Sequence, residues 1–560
     1  MALQVYSHPR RTTPRRSSAT QNHAAYTFPA PMKGIDVSLP IAGSTPQVAL
    51  RLDNLIPRSL GCELRKGYKR WTSNLGATKE VRSLMPYLPA QAGALPKLFA
   101  ATEEGKIFDV TVSTGPGVTP VPVLTVSGGV PLGEWTAFNY TTPAGITYLI
   151  AINPGGGYWV YDGTAWTQIV GGPGSGMTIS GVDPKTFTFA TVYKSQLCFT
   201  QANSTDMWFL PAGQIAGAAT KFPYGPMLPN GGELVGLVNW TFDGSAAGDS
   251  GAGSGGGGMD SKLVILASQG DVLVYAGGNA GIASTGFAME GRWFVGRVPV
   301  GHRFFSQYSS DVAILSERGL NFMTELMRGA GFYTHAQVAN QVNSDLSRQV
   351  TDTLTRRYWE VKFLPHEQLL VIKLPMDVEN EQRQWVYEVN SKAYANLLGM
   401  PMMTVDTFQG KSYSGDRDGN VWWLFEGESD GEVAGVPGLD LQGIVVTTFN
   451  PMGESVRNKR FLMVRPSFIS TAAPGFQVRL NSEWAMRLPD FAPAYSGAGS
   501  SFWDTGRWDT AIWSGEGNSY EAWVGVTGMG RFASLAMRVR GASGTVFVGW
   551  EALVEPGGIL

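Results

Sequence analysis

The chain is poor in charge, in cysteine and in long apolar runs. Charged residues make up 16% of its 560 positions, against about 25% in an ordinary soluble domain. Helical solenoids present long charged stripes to water, and their absence removes that class. Only two cysteines occur, Cys62 and Cys198. They stand far apart and in no metal or redox spacing, so they read as reduced core thiols. Five histidines (His8, His23, His302, His335 and His366) are scattered, with neither an HExxH pair nor a cysteine cluster, and no zinc site is expected. No apolar run reaches the ~18 residues of a membrane span, so no membrane crossing is expected. The first residues lack the apolar segment of a secretory signal. Net charge is −2, too balanced for a clamp on nucleic acid. A passage through which DNA slides stays compatible with it, because strong phosphate contacts hinder sliding.

Glycine (71 residues) and aromatics (11%) are what the chain has in plenty. Glycine supplies the positive φ of tight turns and aromatics suit pleated surfaces, so the composition points to an all-β protein. One phrase recurs: an apolar strand, a polar turn with glycine, and a second strand rich in aromatics. It stands at 98–110 (LFAATEEGKIFDV), 148–161 (YLIAINPGGGYWVY), 195–210 (SQLCFTQANSTDMWFL) and 263–275 (LVILASQGDVLVY). It returns at 312–323 (VAILSERGLNFM) and 412–425 (SYSGDRDGNVWWLF), with a longer loop at 368–389. A repeat of roughly 50 residues built on one hairpin is the signature of a β-propeller or a similar array. The expected fold is therefore a propeller of about six to seven blades over 34–440.

Flanking and interrupting segments differ in character. Residues 1–33 carry Arg10, Arg11, Arg15, Arg16 and Lys33 with no acid before Asp36. Proline, serine and threonine fill much of the rest, which predicts a basic, flexible N-terminal arm. Val48, Leu50 and Leu52 alternate with other residues, as in a half-buried strand, and 46–70 is the candidate for closing the ring. Residues 243–258 (DGSAAGDSGAGSGGGG) read as a flexible loop. Val338, Val342, Leu346, Val350 and Leu354 recur every four residues and predict one amphipathic helix, a helical insertion over 335–357. Beyond residue 440 the phrase stops. Alternating strands at 443–449, 460–468, 476–480 and 535–550 predict a C-terminal antiparallel β-domain over 441–560, with RVRGASGTVFVG as a hairpin. Trp503, Trp508 and Trp513 fall at a period of neither helix nor strand, so 503–513 reads as an ordered aromatic loop.

Catalytic patterns fail on inspection. GDSGAG at 248–253 echoes a serine-protease loop without any histidine context. Gly251, Gly253 and Gly256 satisfy GxGxxG only because the loop is mostly glycine. Gly410-Lys411-Ser412 resembles the end of a phosphate-binding loop, but Val405 stands where its first glycine is needed. Asp416-Arg417-Asp418-Gly419-Asn420, with Trp422, alternates oxygen side chains in the manner of a calcium loop or of the Asp-rich turns of sialidase-type propellers. The competing reading is a hairpin turn, since Asp-Gly tolerates positive φ. Glu103, Glu317 and Glu360 are candidate carboxylates for a glycosidase, whose defining feature is their separation in space. No catalytic, cofactor-binding or metal residue is expected, and no cofactor.

Several blocks together resemble a known family. GIDVSLPIAGSTPQVALRLDNLIPRSLGCELRKGY (34–68), the central GDVLVYAGG…GRWFVGRVPVGHRFF…DVAILSERGLNFM, and the 366–397 passage with its QWVYEVNSKAYANL are similar to the tail-nozzle (packaged-DNA-stabilising) proteins of short-tailed bacteriophages. WDTGRWDTAIW and the terminal EALVEPGGIL complete the order. Glu388 after Tyr387 departs from the family's usual aspartate. The resemblance implies a structural virion protein without enzymatic activity. It implies a homo-oligomeric ring, expected to be hexameric, that extends the DNA channel below the portal and adaptor complex. Such a ring meets tail fibre or tailspike proteins, retains packaged double-stranded DNA, and conducts it at ejection without reading its sequence. The location implied is the virion tail, after synthesis in the bacterial cytoplasm. A propeller-type glycan hydrolase or a carbohydrate-binding protein of a phage tail is the alternative.

Overall fold

The computed structural model describes residues 23–38, 45–76, 79–115, 118, 120–127, 133–242, 260–280, 286–308, 311–327, 342–375, 383–495 and 517–559. Each recurring phrase is a β-hairpin. The pairs are Lys97–Thr102 with Lys106–Asp109, Thr147–Asn153 with Gly157–Tyr161, and Gln196–Gln201 with Asp206–Phe209. Next come Asp260–Ala267 with Asp271–Ala276, and Asp311–Ser316 with Gly319–Phe322. Leu369–Lys373 with Arg383–Glu388 and Lys411–Gly415 with Val421–Leu424 complete the set. A leading strand precedes each hairpin and pairs antiparallel with its first strand: Val81–Tyr87, Thr136–Thr141, Phe187–Tyr193, Leu234–Phe242, Phe305–Tyr308, Glu360–Leu364 and Thr404–Phe408. Each sheet packs on the next along the chain, and Thr404–Phe408 packs on Val81–Tyr87. The result is an all-β protein with a β-propeller-like ring of sheets.

A sheet inside such a ring is covered on both faces, so its middle strands are apolar without alternation. Leu263, Ile265 and Ala267 enter one core, while Val264 and Leu266 enter another. Leu98 and Ala100 likewise part from Phe99 and Ala101. This two-sided burial is why the hairpins appear in the sequence as short continuous apolar runs.

Five of the hairpins belong to separate sheets, and the other two lie in composite sheets that borrow strands from both ends of the chain. Tyr68–Thr72 pairs antiparallel with Val421–Leu424 and so closes the last sheet. It is the end of the expected closing segment and runs two residues beyond it. Ala49–Asp53, within that same segment, has a different task. It lies parallel to Ala393–Leu398 and antiparallel to Gln442–Thr447. One eight-stranded sheet therefore runs from Glu360–Leu364 through Ala49–Asp53 to Gln442–Thr447, Ala533–Arg540 and Gly475–Ser482. It crosses the expected domain boundary at residue 440. Upstream, Gly34 bridges to Tyr394 with φ +73, and a Cβ there would sit 2.4 Å from the Tyr394 carbonyl oxygen, so only glycine fits this approach.

The C-terminal part stacks this sheet against a second one, in which Arg457–Ser470 pairs with Val546–Ile559 along most of its length. Here the expected 538–549 hairpin is corrected. Ala533–Arg540 pairs with Gln442–Thr447 and Gly475–Ser482, while Val546–Ile559 pairs with Arg457–Ser470 in the other sheet. The short 541–545 turn is a corner between sheets, because both strands need partners for opposite walls of one core. The arm is corrected in part as well. Ala24–Pro29 is a strand antiparallel to Gly549–Val554, and Phe28 stacks on Trp550 at 4.5 Å. Alternating Tyr26 and Phe28 give this stretch an apolar face that its basic surroundings conceal.

Two helices are described where one was expected: Met323–Met327 directly follows Gly319–Phe322, and Asn343–Asp352 falls within 335–357, ends before its limit at 357, and buries Leu346 and Val350 against the sheets. Residues 328–341, the glycine-rich 243–258 segment, the 503–513 tryptophan block and Arg10 to Arg16 lie outside the described residues.

Candidate functional site

The ring's leading strands are shorter in apolar content than the hairpins, and their polar side chains converge. Arg303, just before Phe305–Tyr308, is the centre. Its guanidinium donates to the Arg82 carbonyl at 2.9 Å, the Thr404 hydroxyl at 3.3 Å, the Ser83 hydroxyl at 2.5 Å and the Trp135 carbonyl at 2.7 Å. Glu360 Oε2 lies 3.6 Å from the same guanidinium and 4.0 Å from Lys373 Nζ. One side chain thus ties four sheets together, and the Val361 amide adds a 2.7 Å bond to the Arg303 carbonyl. Buried charge is costly unless it is paired and hydrogen-bonded: the Arg303 guanidinium meets both conditions, while Glu360 Oε2 is paired by charge alone, without a hydrogen bond.

Lys373 is 2% exposed and donates to the Met403 carbonyl at 2.5 Å. Burial lowers its ammonium to about 8, with Glu360 pulling it back up and Arg303 and Arg82 pushing it further down. Around it, Lys362 pairs with Asp406 at 2.8 Å and Arg357 with Glu134 at 3.5 Å. His302 Nδ1 meets the Val235 carbonyl at 2.8 Å, and burial holds its imidazole below the ordinary value. Arg82 lies over the Tyr358 ring at 3.6 Å, an aromatic held at φ +80.

Beside Arg303 lies a cavity of ≈ 450 Å³ whose walls come from all seven leading strands and their flanks. Phe138, Phe189, Phe305 and Phe363 supply flat apolar surface, and Asn239, His302, Lys362 and Asp406 supply polar atoms. Phe189 and Phe305 meet edge-to-face at 5.4 Å. The Phe305 ring can lie there because Gly236 offers bare backbone, where a Cβ would fall 2.5 Å from it.

The residues singled out in the sequence have other roles. Glu103 lies 3.9 Å from Lys79 on the surface, Glu317 pairs with Arg297 at 3.0 Å, and Glu360 joins the axial cluster. No hydrogen bond or ion pair links any two of these three among the described contacts. The Asp416 carboxylate accepts four bonds from its own hairpin: the Asp418 amide (2.9 Å), the Asn420 amide and side chain (2.7 Å each), and the Trp422 indole (2.7 Å). Its oxygens are thereby committed to the turn. Lys411 lies over the Trp423 ring at 3.9 Å, in a hairpin whose turn places Gln409 and Gly410 at positive φ. Cys62 and Cys198 are buried free thiols, both pushed up by burial. Among the described residues no group of three His, Cys, Asp or Glu could hold a metal ion. No described helix is long and apolar enough to cross a membrane.

Sequence reasoning reached Glu360 and His302 as isolated residues and missed Arg303, Lys373 and the cavity. The available signal was the polar content of the strand before each hairpin, as in EVKFL (360–364) and TVDTF (404–408).

No family model and no curated protein matches the chain. Solved propeller structures resemble it distantly. YCF48 bound to D1 peptide aligns at 9% identity and TM-score 0.35, over 63% of this chain and 93% of that one. Saccharomyces cerevisiae Sqt1 aligns at 12% identity and TM-score 0.36, over 64% and 98%. BBS1N in complex with ARL6DN aligns at 11% identity and TM-score 0.26, over 44% and 67%.

Proposed function

We propose that the chain is a structural virion protein, the nozzle subunit of a short-tailed phage tail, with its hairpins forming a propeller of seven blades. The observation that carries this reading is the composite sheet in which Ala49–Asp53 joins propeller strands to the C-terminal β-domain. A subunit that bears load in a conduit needs its parts fixed to one another, and a shared sheet fixes them far more firmly than a linker. The sequence blocks that resemble nozzle proteins support the same reading. The propeller axis is stitched by Arg303, so the DNA passage belongs between subunits of a ring, proposed as a hexamer, and not through one propeller. In this reading the ring docks on the adaptor and portal complex, meets fibre or tailspike proteins, and performs no catalysis.

One observation favours the carbohydrate-binding alternative. Phe491 and Trp523 are exposed on the C-terminal domain, and Phe491 borders an open groove along Gly475–Ser482 with Arg479, Arg487 and Asp490. Electron microscopy of the purified full-length protein, alone and mixed with portal and adaptor, tests the primary reading. A six-fold ring with a hole wide enough for duplex DNA supports it. Monomers that neither close into rings nor join the portal complex sink it.

A further inference from the structure

We propose that the cavity beside Arg303 is a binding site for a small neutral saccharide, of one or two sugar units. The volume comes first. At ≈ 450 Å³ the cavity falls within the range of about 300–1,000 Å³ typical of small-molecule sites and is too small for a polymer chain.

Charge comes next. The ionic groups lining it are matched: Lys362 with Asp406 at 2.8 Å, and Arg303 with Glu360 at 3.6 Å. A phosphate or carboxylate ligand would have to displace an existing acid from its cation. A neutral, hydroxyl-rich ligand displaces nothing and adds bonds to both members of the half-buried Lys362–Asp406 pair.

Polar side chains among the rings are the third observation. Asn239 is half-buried on the cavity wall and, with Lys362 and Asp406, sets an amide, an ammonium and a carboxylate around it. A sugar hydroxyl both donates and accepts, and so suits all three.

The fourth is the aromatic wall. Phe138, Phe189, Phe305 and Phe363 are all half-buried and face the cavity, with Phe189 and Phe305 fixed edge-to-face. Flat rings beside paired charges accept the C–H face of a pyranose while its hydroxyls turn to the polar side. A purely apolar ligand would leave Asn239, Lys362 and Asp406 unused, and a purely ionic one would leave the rings unused.

The test uses the full-length protein and a panel of methyl glycosides of neutral hexoses and N-acetylhexosamines, disaccharides, and one anionic sugar, followed by titration calorimetry and saturation-transfer NMR. Saturable binding of a neutral member, with the anionic sugar at least tenfold weaker, is the expected result. Asn239→Ala and Lys362→Met should each weaken binding at least tenfold, while Leu95→Ala, at an exposed residue outside the cavity lining, leaves it unchanged. In the wild type, ligand should shift one indole N–H resonance that is missing in Trp135→Phe, a readout that does not need the other variants to fold. A longer oligosaccharide added in parallel separates a free sugar from the end of a glycan chain, either of which supports the site. Absence of saturable binding across the panel overturns the proposal, as does binding that persists unweakened in Asn239→Ala and Lys362→Met or that fails in Leu95→Ala.

Discussion

At the scale of single residues, Lys373 and Asp416 show how this fold tolerates buried charge. Lys373 keeps its proton in the folded protein only up to about pH 8, against 10.5 in the open chain, because burial disfavours the ammonium. Between those values the unfolded state binds more protons, so stability rises with pH across the window. Below pH 8 the penalty is fully present, at about 3 kcal/mol. Buried tyrosines such as Tyr158 and Tyr224, raised by burial, act in the opposite sense above pH 10, since the unfolded chain loses those protons first. Urea titration of the wild type and Lys373→Met at pH 7 and pH 9.5 separates the two. The wild type should gain stability relative to the variant at the higher pH, and parallel curves would refute the assignment. Asp416 is the acidic counterpart, a carboxylate with four donors. Asp416→Ala leaves those donors in a buried turn and should cost about 3 kcal/mol, read as a lower urea midpoint at unchanged slope. Added calcium should not move the wild-type melting temperature, because the carboxylate's bonds are already made within the hairpin.

At the scale of elements, the middle strands announce themselves and the edge strands do not. Leu263 to Ala267 are buried on both faces, so LVILA is apolar throughout and legible as a strand wherever it lies. Phe305–Tyr308 and Glu360–Leu364 line the axis, carry polar residues, and look in the sequence like connections. Pairing partners were harder still to read. Nothing local in ALRLD (49–53) says that it joins strands hundreds of residues away, and nothing in RVRGASGTVFVG distinguishes a hairpin from a corner between two sheets. Both are decided by which core each strand must cover, a long-range matter. Ala24–Pro29 is the clearest case, since its two alternating aromatics outweigh its basic neighbourhood. Phe28 is 9% exposed and stacked on Trp550, so Phe28→Ala should cost about 3 kcal/mol. Removal of residues 1–30 should lower the melting temperature by several degrees relative to removal of 1–22 alone. Equal effects of the two truncations would mean that this strand contributes nothing.

At the scale of the whole molecule, the question is whether the propeller and the C-terminal domain are two folding units or one. Composition and repeat length divide the chain near residue 440, and a linker there would let each part melt by itself. The connectivity opposes that. Propeller strands Arg383–Glu388 and Ala393–Leu398 share a sheet with Gln442–Thr447 and Ala533–Arg540, and Ala49–Asp53 is the strand between them. Val264 and Trp359 of the propeller also belong to one continuous core with Phe468 and Trp550 of the C-terminal domain. Unfolding the C-terminal part alone would strip Ala49–Asp53 of a partner and expose that core, so partial unfolding carries much of the cost of the whole. Calorimetry of the full-length chain should therefore give one transition in which the calorimetric and van't Hoff enthalpies agree. Two resolved transitions, with loss of the C-terminal part preceding that of the propeller, would show that the shared sheet does not couple them and would remove the rigid body on which the nozzle reading rests.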